Sequence, residues 1–499
     1  MNKRTTPPPT RSPAPDQLRA PYAEALLAHA GRDWLRLNVP GHAAARGSDL
    51  AARFGSRVTD LDFPPLLDGI DLGADTPLDE ALALAARAWG SRRTWFLTNG
   101  ASQGNQIASM VTPALGRTLV VQRSVHSSVV DGLVLSGLDA VFVQPSVDPV
   151  QGIAHGVTAE DVAEALDRTP DAAAVYVVSP SYFGAVADVR ALADTAHAAG
   201  VPLIVDEAWG SHFGFHPALP AGALALGADL VTSSTHKLAG SLTQSAMLHL
   251  GDGPFADRLE PLVDRAFRLV QSTSASALLT ASLDIARRAL VAGTDRITGS
   301  VEAADKVRGV VRALGRYQVV SDGFPAFPDI IAADPLRIAV DTRAGGITGH
   351  EARRLLSRDH QIMVEVATDS AIVAVIGAGA APDTDRFIEA LHCLPSPLAG
   401  SGADAAGQAP LPLPRPGPAL LTAREAFLSP AVVVPAAEAV GRVSADTLAA
   451  YPPGIPNVLP GEVVTAETVD FLRRTAAAPG GHVRGALDPA VSHLRVVAP

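Results

Sequence analysis

Cysteine is almost absent from this chain. Its single thiol, Cys393, excludes an internal disulfide framework and any metal site built on cysteine clusters. Such usage points to a reducing compartment, the cytoplasm. Long apolar runs are missing as well. No stretch reaches the roughly 18 uninterrupted apolar residues that a membrane span requires. The N-terminus, MNKRTTPPPTRSPAPDQ, has basic residues but none of the apolar segment a secretory signal carries. Positive charge is in deficit: 40 Lys and Arg face 51 Asp and Glu, for a formal net charge of −11. That balance argues against nucleic acid or an anionic membrane as partner. His212, His216 and His236 lie near one another in sequence, but their spacing matches no metal-ligand pattern, and no metal is expected.

What is present is globular. Hydrophobic residues make up 47% and charged residues 18% of 499 positions, ample for a large core and too long for one domain of about 250–300 residues. Residues 1–17, rich in Pro, Thr and Arg, read as a disordered tail. Residues 18–300 read as an N-terminal segment and a large domain, and 301–393 as a smaller α/β unit. The Pro/Gly/Ala-rich stretch 394–418 reads as a linker or long loop, and 419–499 as the remaining part of the smaller domain.

Strand and helix signals alternate through the large domain. WFLT (95–98), TLVVQ (118–122), AVFVQ (140–144), AAVYVVS (173–179), PLIVD (202–206), DLVTS (229–233) and AMLHL (246–250) are the strand candidates. The alternation predicts an α/β layer with a mainly parallel sheet. Ahead of the first strand, Thr76 and Asp79 stand at capping-box spacing, Pro77 suits a first helical position and Gly90 a stop. A helical stretch over 255–291 is expected to break at QSTS (271–274). RIAVDT (337–342) and AIVAVIG (371–377) restart the strand pattern.

Two of these strands end on chemistry. VPLIVD ends on the carboxylate Asp206, and DLVTSSTHK leads from a strand to the amine Lys237. Such a pair suits pyridoxal phosphate, whose aldehyde needs an amine and whose ring nitrogen needs an acid. A third strand, WFLT, runs into TNGASQGN at 98–105 and then a helix. Gly100, Ala101 and Ser102 would there offer free amides and a hydroxyl to a phosphate. The same residues also fit the G-x-S-x-G nucleophile elbow of α/β-hydrolases, which would make Ser102 a nucleophile. His126 follows strand TLVVQ and so enters the same strand-end crevice, where an imidazole can stack on a flat ring. Ser234 and His236 flank Lys237 as further cofactor-orienting candidates.

Taken together, NVPGH, FLTNGASQGN, RSVHSSVVDGLVLSG, VPLIVDEAWGSHFGFHPALP, GADLVTSSTHKLAGSLTQSAMLH, QSTSASALLTASLD and YPPGIPNVLPGE resemble the ornithine/lysine/arginine decarboxylases, in the short bacterial form without a wing domain. The resemblance runs from about residue 20 to the end. It implies a fold-type I pyridoxal-phosphate enzyme: a large domain with a mainly parallel sheet, plus a smaller C-terminal α/β domain. It implies decarboxylation of lysine, arginine or ornithine in the cytoplasm, with oxidation or transamination of an arginine-like amino acid as rivals, and a non-catalytic paralogue as a further one. Lys237 would carry the cofactor aldehyde, Asp206 would hold the ring nitrogen, and His126 would stack on the ring. Ala208 and Trp209 would pack beside it, while Ser102, Ser234 and His236 would hold the phosphate. A homodimer or larger even-numbered assembly, with sites at the interface, would bring Ser272 and Thr273 to a neighbour's phosphate. Glu462 and His42 would belong to the substrate side, Glu462 facing the distal cation. Departures fall mostly there: PGHA at 40–43 replaces the usual PGHK, and PSYFG at 180–184 replaces PTYDG.

Overall fold

All seven apolar runs enter one sheet. The computed structural model describes residues 14–395, 413–451, 455–478 and 481–499. In it β1 (Arg93–Leu97), β2 (Thr118–Gln122), β3 (Asp139–Val143), β4 (Ala172–Val178), β5 (Leu203–Asp206), β6 (Leu230–Ser233) and β7 (Ala246–Leu250) lie in the order β1-β7-β6-β5-β4-β2-β3. The pairs among β2 to β6 and β3 are parallel. β7 runs antiparallel to both β6 and β1. Both faces are covered, so β2, β5, β6 and β7 are buried at every position. Alternation along β2 splits its side chains: Leu119 and Val121 enter one core, Val120 the other.

Helices feed the strands as their end signals foretell. α1 (Pro21–Ala30) and α2 (Pro77–Trp89) precede the sheet. α2 carries the reciprocal Thr76/Asp79 capping box and stops at Gly90 in the left-handed region. α3 (Gly100–Val111) follows β1, and α4 (Ser127–Ser136) follows β2. These two helices pack closely because Gly132 has no side chain. A Cβ there would lie 2.4 Å from Ser109 Oγ and 2.5 Å from Ser109 Cβ. Gly132→Ala would gain about 1 kcal/mol of helix propensity, while overpacking costs about 1–3 kcal/mol. A net fall in the thermal midpoint is therefore expected, and a rise would show that the helices separate freely.

The 255–291 stretch is two helices, α5 (Ala256–Val270) and α6 (Ala277–Val291), interrupted at 271–276 as expected. After α7 (Thr294–Leu314), a second sheet forms from β8 (Gln318–Val319), β9 (Arg337–Asp341), β10 (Val366–Ala367) and β11 (Ala371–Val375), in the antiparallel order β8-β9-β11-β10. The final segment makes sheets of its own. β12 (Ala431–Pro435) pairs with β16 (His493–Val497), and β13 (Leu448–Tyr451) lies between β14 (Ile455–Val458) and β15 (His482–Arg484). It buries a separate apolar cluster that includes Leu448, Val458, Leu472 and Val496.

Two sequence expectations meet the edge of the described chain. The disordered tail expected over 1–17 lies outside it through residue 13. Beyond that the expectation fails, because Pro15–Leu18 forms a 3-10 turn. Gln17 there is buried, donates to the Leu84 carbonyl, and offers its own carbonyl to Arg287. Most of the linker expected over 394–418 falls on 396–412, likewise outside. Its last residues are packed, with Val463 N donating to Pro418 O at 2.9 Å.

Candidate active site

The C-terminal ends of the parallel strands converge on a cavity of about 220 Å³. Crevices outside the carboxyl ends of such strands are the usual ligand positions in open α/β sheets. Gly100, Ala101, Ser102, His126, Asp206, Ala208, Trp209, Ser234, His236 and Lys237 all line it. Every one was singled out from sequence. Asn105, Ser124, Val178 and Tyr182 complete the wall.

Lys237 occupies the single helical turn Thr235–Leu238 after β6. Its ammonium lies 3.8 Å from the centroid of the Trp209 ring. Removal from water pushes its pKa from 10.5 down to about 8. The Asp206 carboxylate opposes that fall, Arg337 adds to it, and Glu365 opposes it. An amine that is half neutral near pH 8 is a far better nucleophile than an ordinary lysine. With the cofactor removed, an amine-reactive probe should label Lys237 with a rate that climbs through pH 8. Ordinary lysines are only about 0.4% neutral there, so an advantage of roughly a hundredfold per residue is expected. Mass-spectrometric site occupancy against pH checks it, and a midpoint near 10 would sink it.

Asp206 ends β5 and is 3% exposed. One carboxylate oxygen accepts from Ala208 N at 3.0 Å and the other from Asn105 Nδ2 at 2.8 Å. Asn105 is in turn fixed by the Tyr176 hydroxyl, which donates to its Oδ1 at 2.9 Å. The same Asn105 amide donates to Ser128 Oγ at 3.0 Å, and Ser128 Oγ lies 2.8 Å from His126 Nδ1. Ser128 N also donates to that nitrogen, at 3.2 Å. Donor directions are consistent throughout if His126 Nδ1 is the acceptor, which puts the ring proton of the neutral form on Nε2. Burial pushes the His126 pKa down, against the pull of Asp206, with Lys237 and Arg484 adding to the fall. The ring is therefore held neutral and oriented. Glu207, which directly follows Asp206, is buried with Ala223 N donating to it, and burial pushes its pKa up to about 8.

At the phosphate seat, α3 begins at Gly100 and its N-cap residue, Asn99, makes no side-chain cap. Gly100 N already donates to Gln244 O at 2.7 Å, so the amides the helix end presents to a negative group are those that follow it in the first turn. Ser102 stands in that first turn. No histidine hydrogen-bonds it among the described residues, so the nucleophile-elbow alternative finds no base here. His236 is half-buried, with Nδ1 donating to Ser245 O at 2.9 Å, and burial pushes its pKa down.

The remaining candidates lie elsewhere. Glu462 does not line the cavity. Its carboxylate is buried and paired with both terminal nitrogens of Arg123, and it accepts from Leu459 N. His42 bridges Asp62 at 3.1 Å and accepts from Ala44 N. Ser272 and Thr273 are exposed on the α5–α6 connection, outside the cavity of their own chain. Sequence reasoning missed Asn105, Tyr176 and Arg337. Arg337 opens β9, is 2% exposed, and sets its guanidinium carbon 3.6 Å from the Trp209 centroid. Its NH1 donates to the Tyr182 carbonyl at 2.7 Å. Burial lowers its pKa to about 10, with Asp334 and Glu365 opposing. Only its place beside Trp209, far away in sequence, marks it.

Comparison with known proteins places this geometry. Residues 20–335 match the family model described as Orn/Lys/Arg decarboxylase, major domain, and 419–480 match the C-terminal domain of the same family. An arginine decarboxylase of Halalkalibacterium halodurans is 35% identical over 96% of this chain and 98% of its own. One from Bacillus subtilis is 32% identical over the same shares. Among solved structures, lysine decarboxylases of Francisella novicida and Escherichia coli superpose with a TM-score of 0.78 at 21% and 22% identity, covering 97% of this chain and 82% of theirs. The shared architecture is the fold-type I one expected from sequence. No helix among the described residues is long and apolar enough to cross a membrane. With its major and C-terminal domains both matched, this chain belongs to the Orn/Lys/Arg decarboxylase family.

Proposed function

We propose that this protein is a pyridoxal-phosphate enzyme that decarboxylates a basic amino acid, with arginine favoured over lysine and ornithine. The observation that carries the reading is one cavity holding a desolvated lysine, a buried hydrogen-bonded carboxylate and an uncapped helix N-terminus. That donor set fits the cofactor: an amine for its aldehyde, an acid for its ring nitrogen, and free amides for its phosphate. Arginine is favoured because the relatives at 32–35% identity are arginine decarboxylases.

When bound, pyridoxal phosphate supplies an electrophilic aldehyde and a ring that accepts the electron pair released as the Cα–carboxylate bond breaks. The chain's own residues do the rest. Lys237 offers a neutral amine near pH 8. Asp206, held by Asn105 and Ala208, would accept a hydrogen bond from the protonated ring nitrogen and keep the proton on that nitrogen. His126, neutral and clamped through Ser128, offers a flat face. Ala101, Ser102, Ser234 and His236 would hold the phosphate, while Gly100, its own amide spent on Gln244 O, would shape the turn beside it. Carbon dioxide leaves with its carbon–carbon electrons left behind, so one proton must be returned to Cα, and Lys237 Nζ in its ammonium form or a histidine of the cavity wall, His126 or His236, would supply it.

The working unit in this reading is a homodimer or a larger even-numbered assembly. Leu35, Leu37 and Val39 are 85%, 90% and 68% exposed in one chain, an apolar surface that a second copy would cover. Ser272 and Thr273 are exposed in the same way and free to reach a neighbour's phosphate. Cytoplasmic residence is part of the proposal. The test is incubation of cofactor-replete protein with arginine, lysine and ornithine, following carbon dioxide, amine and peroxide. Equal yields of carbon dioxide and amine, largest from arginine, are expected. Peroxide with oxygen uptake, or a keto acid without carbon dioxide, would overturn decarboxylation in favour of oxidation or transamination.

A further inference from the structure

The wall beside Lys237 is backed by a residue of the second sheet. The Lys237 ammonium lies 3.8 Å from the Trp209 ring centroid. Arg337, which opens β9, sets its guanidinium carbon 3.6 Å from the same centroid. Tyr182 leans on that indole too, with ring centroids 5.4 Å apart and planes at 61°. Arg337 NH1 donates to the Tyr182 carbonyl at 2.7 Å. One guanidinium thus touches both Tyr182 and Trp209, which line the cavity, without lining it itself.

Its place is specified from several sides. Gly184, at a φ of +88°, makes room for the side chain, since a Cβ there would lie 2.8 Å from Arg337 Cβ. Asp334, three residues earlier, receives His212 Nε2 on its carboxylate at 3.1 Å, and its own amide donates to Gly184 O at 2.8 Å. Arg308 NH1 donates to the Pro335 carbonyl at 2.8 Å. These bonds fix the start of β9 against the strand-end crevice of the first sheet.

Packing alone does not account for an arginine at this position. It is 2% exposed, and neither Nε nor NH2 has a hydrogen-bond partner among the described residues. Replacing a buried charge by apolar side chains of similar volume is often neutral or stabilising. Unspent buried donors are rare in native folds, so a reason other than hydrogen bonding keeps a guanidinium here. The nearest chemistry is the Lys237 amine, which shares the Trp209 ring with it. We propose that Arg337 is a positioning residue for Lys237, clamping Trp209 and Tyr182 into the wall that aims the amine and shields it from water. The role of Lys237 itself is that of the function proposed above, and the clamp rests on that reading.

Two effects of removing Arg337 share a sign. A loosened Trp209 lets water reach the ammonium, and a like charge near it is lost; both favour the charged amine. Each variant is purified as full-length holoenzyme, the cofactor is withdrawn, and Lys237 is labelled with an amine-reactive probe across pH, well below the thermal midpoint. Arg337→Met is expected to raise the labelling midpoint by about one pH unit, which lowers the rate at pH 8 about fivefold. Arg337→Lys, which keeps a cation, should recover at least half of that shift. Arg287→Met removes another buried arginine, one bonded to Gln17, Arg19 and Asp284. It should lower the thermal midpoint and leave the labelling midpoint in place. An unchanged labelling midpoint in Arg337→Met, or an equal shift in Arg287→Met, would overturn the positioning role. Should Arg337→Met not fold, Trp209→Leu reads the same clamp from its other end, and an unshifted midpoint there overturns it too. The expected shifts in a protein whose parent releases no carbon dioxide from any basic amino acid would count against the proposed function and leave the clamp standing.

Discussion

Lys237→Ala is expected to lose the visible absorbance of the cofactor-replete protein and to lower decarboxylation by about 10³-fold or more, as removal of a covalent-catalysis residue does. The fold should survive. Burial already disfavours the Lys237 charge, which is why its pKa falls to about 8. Deleting the side chain removes that cost and leaves a small void beside Trp209, 3.8 Å from the lost ammonium. A thermal midpoint equal to or above the parent's, together with a colourless protein, separates loss of chemistry from loss of structure. Lys237→Arg sharpens the point, because a guanidinium keeps the charge but supplies no neutral amine at any working pH. It should be as inactive as the alanine variant. A coloured, borohydride-sensitive Lys237→Ala protein would show that another amine carries the aldehyde.

Much of this site was legible because its residues sit at ends of locally recognisable strands. Asp206 and Lys237 each follow a short apolar run, and the helix at Gly100 follows another; all three line one cavity because parallel strands end on the same edge. What was not legible depends on contacts between segments. Tyr176 reads as one more apolar position in β4, yet its hydroxyl fixes the amide that fixes Asp206. Asn105 is a polar residue in a helix until α3 is laid against β4 and β5. The direction of β7 is similarly hidden, since an apolar run carries no sign of whether its neighbours are parallel. Arg337 has no local signal at all. It reaches Trp209 only because β9 begins beside the large domain. The last residues of the expected tail were hidden for the same reason: residues 15–17 look disordered by composition, but Arg287, buried in α6, holds this segment through the Gln17 and Arg19 carbonyls.

Arg123→Met is expected to destabilise the protein by about 3–5 kcal/mol, the usual cost of stranding one member of a buried ion pair. Arg123 directly follows β2 and is 4% exposed; Glu462, in the C-terminal segment, is 5% exposed. Their bidentate contact, with Leu459 N closing on the same carboxylate at 2.9 Å, ties the last segment of the chain to the sheet that carries the cavity. The guanidinium also lies 4.8 Å from the Phe142 centroid, so methionine keeps part of its packing while losing its charge. The double variant Arg123→Met/Glu462→Met leaves no unpaired charge and should recover most of the loss. This separates two roles for Glu462. As a residue reserved for a substrate's distal cation, Glu462→Gln would raise KM and leave the denaturation midpoint unchanged. As the partner of Arg123, Glu462→Gln strands a buried guanidinium, lowers the midpoint, and changes KM no more than a distant destabilising substitution does. The geometry within one chain, with both terminal guanidinium nitrogens on the carboxylate, favours the second outcome.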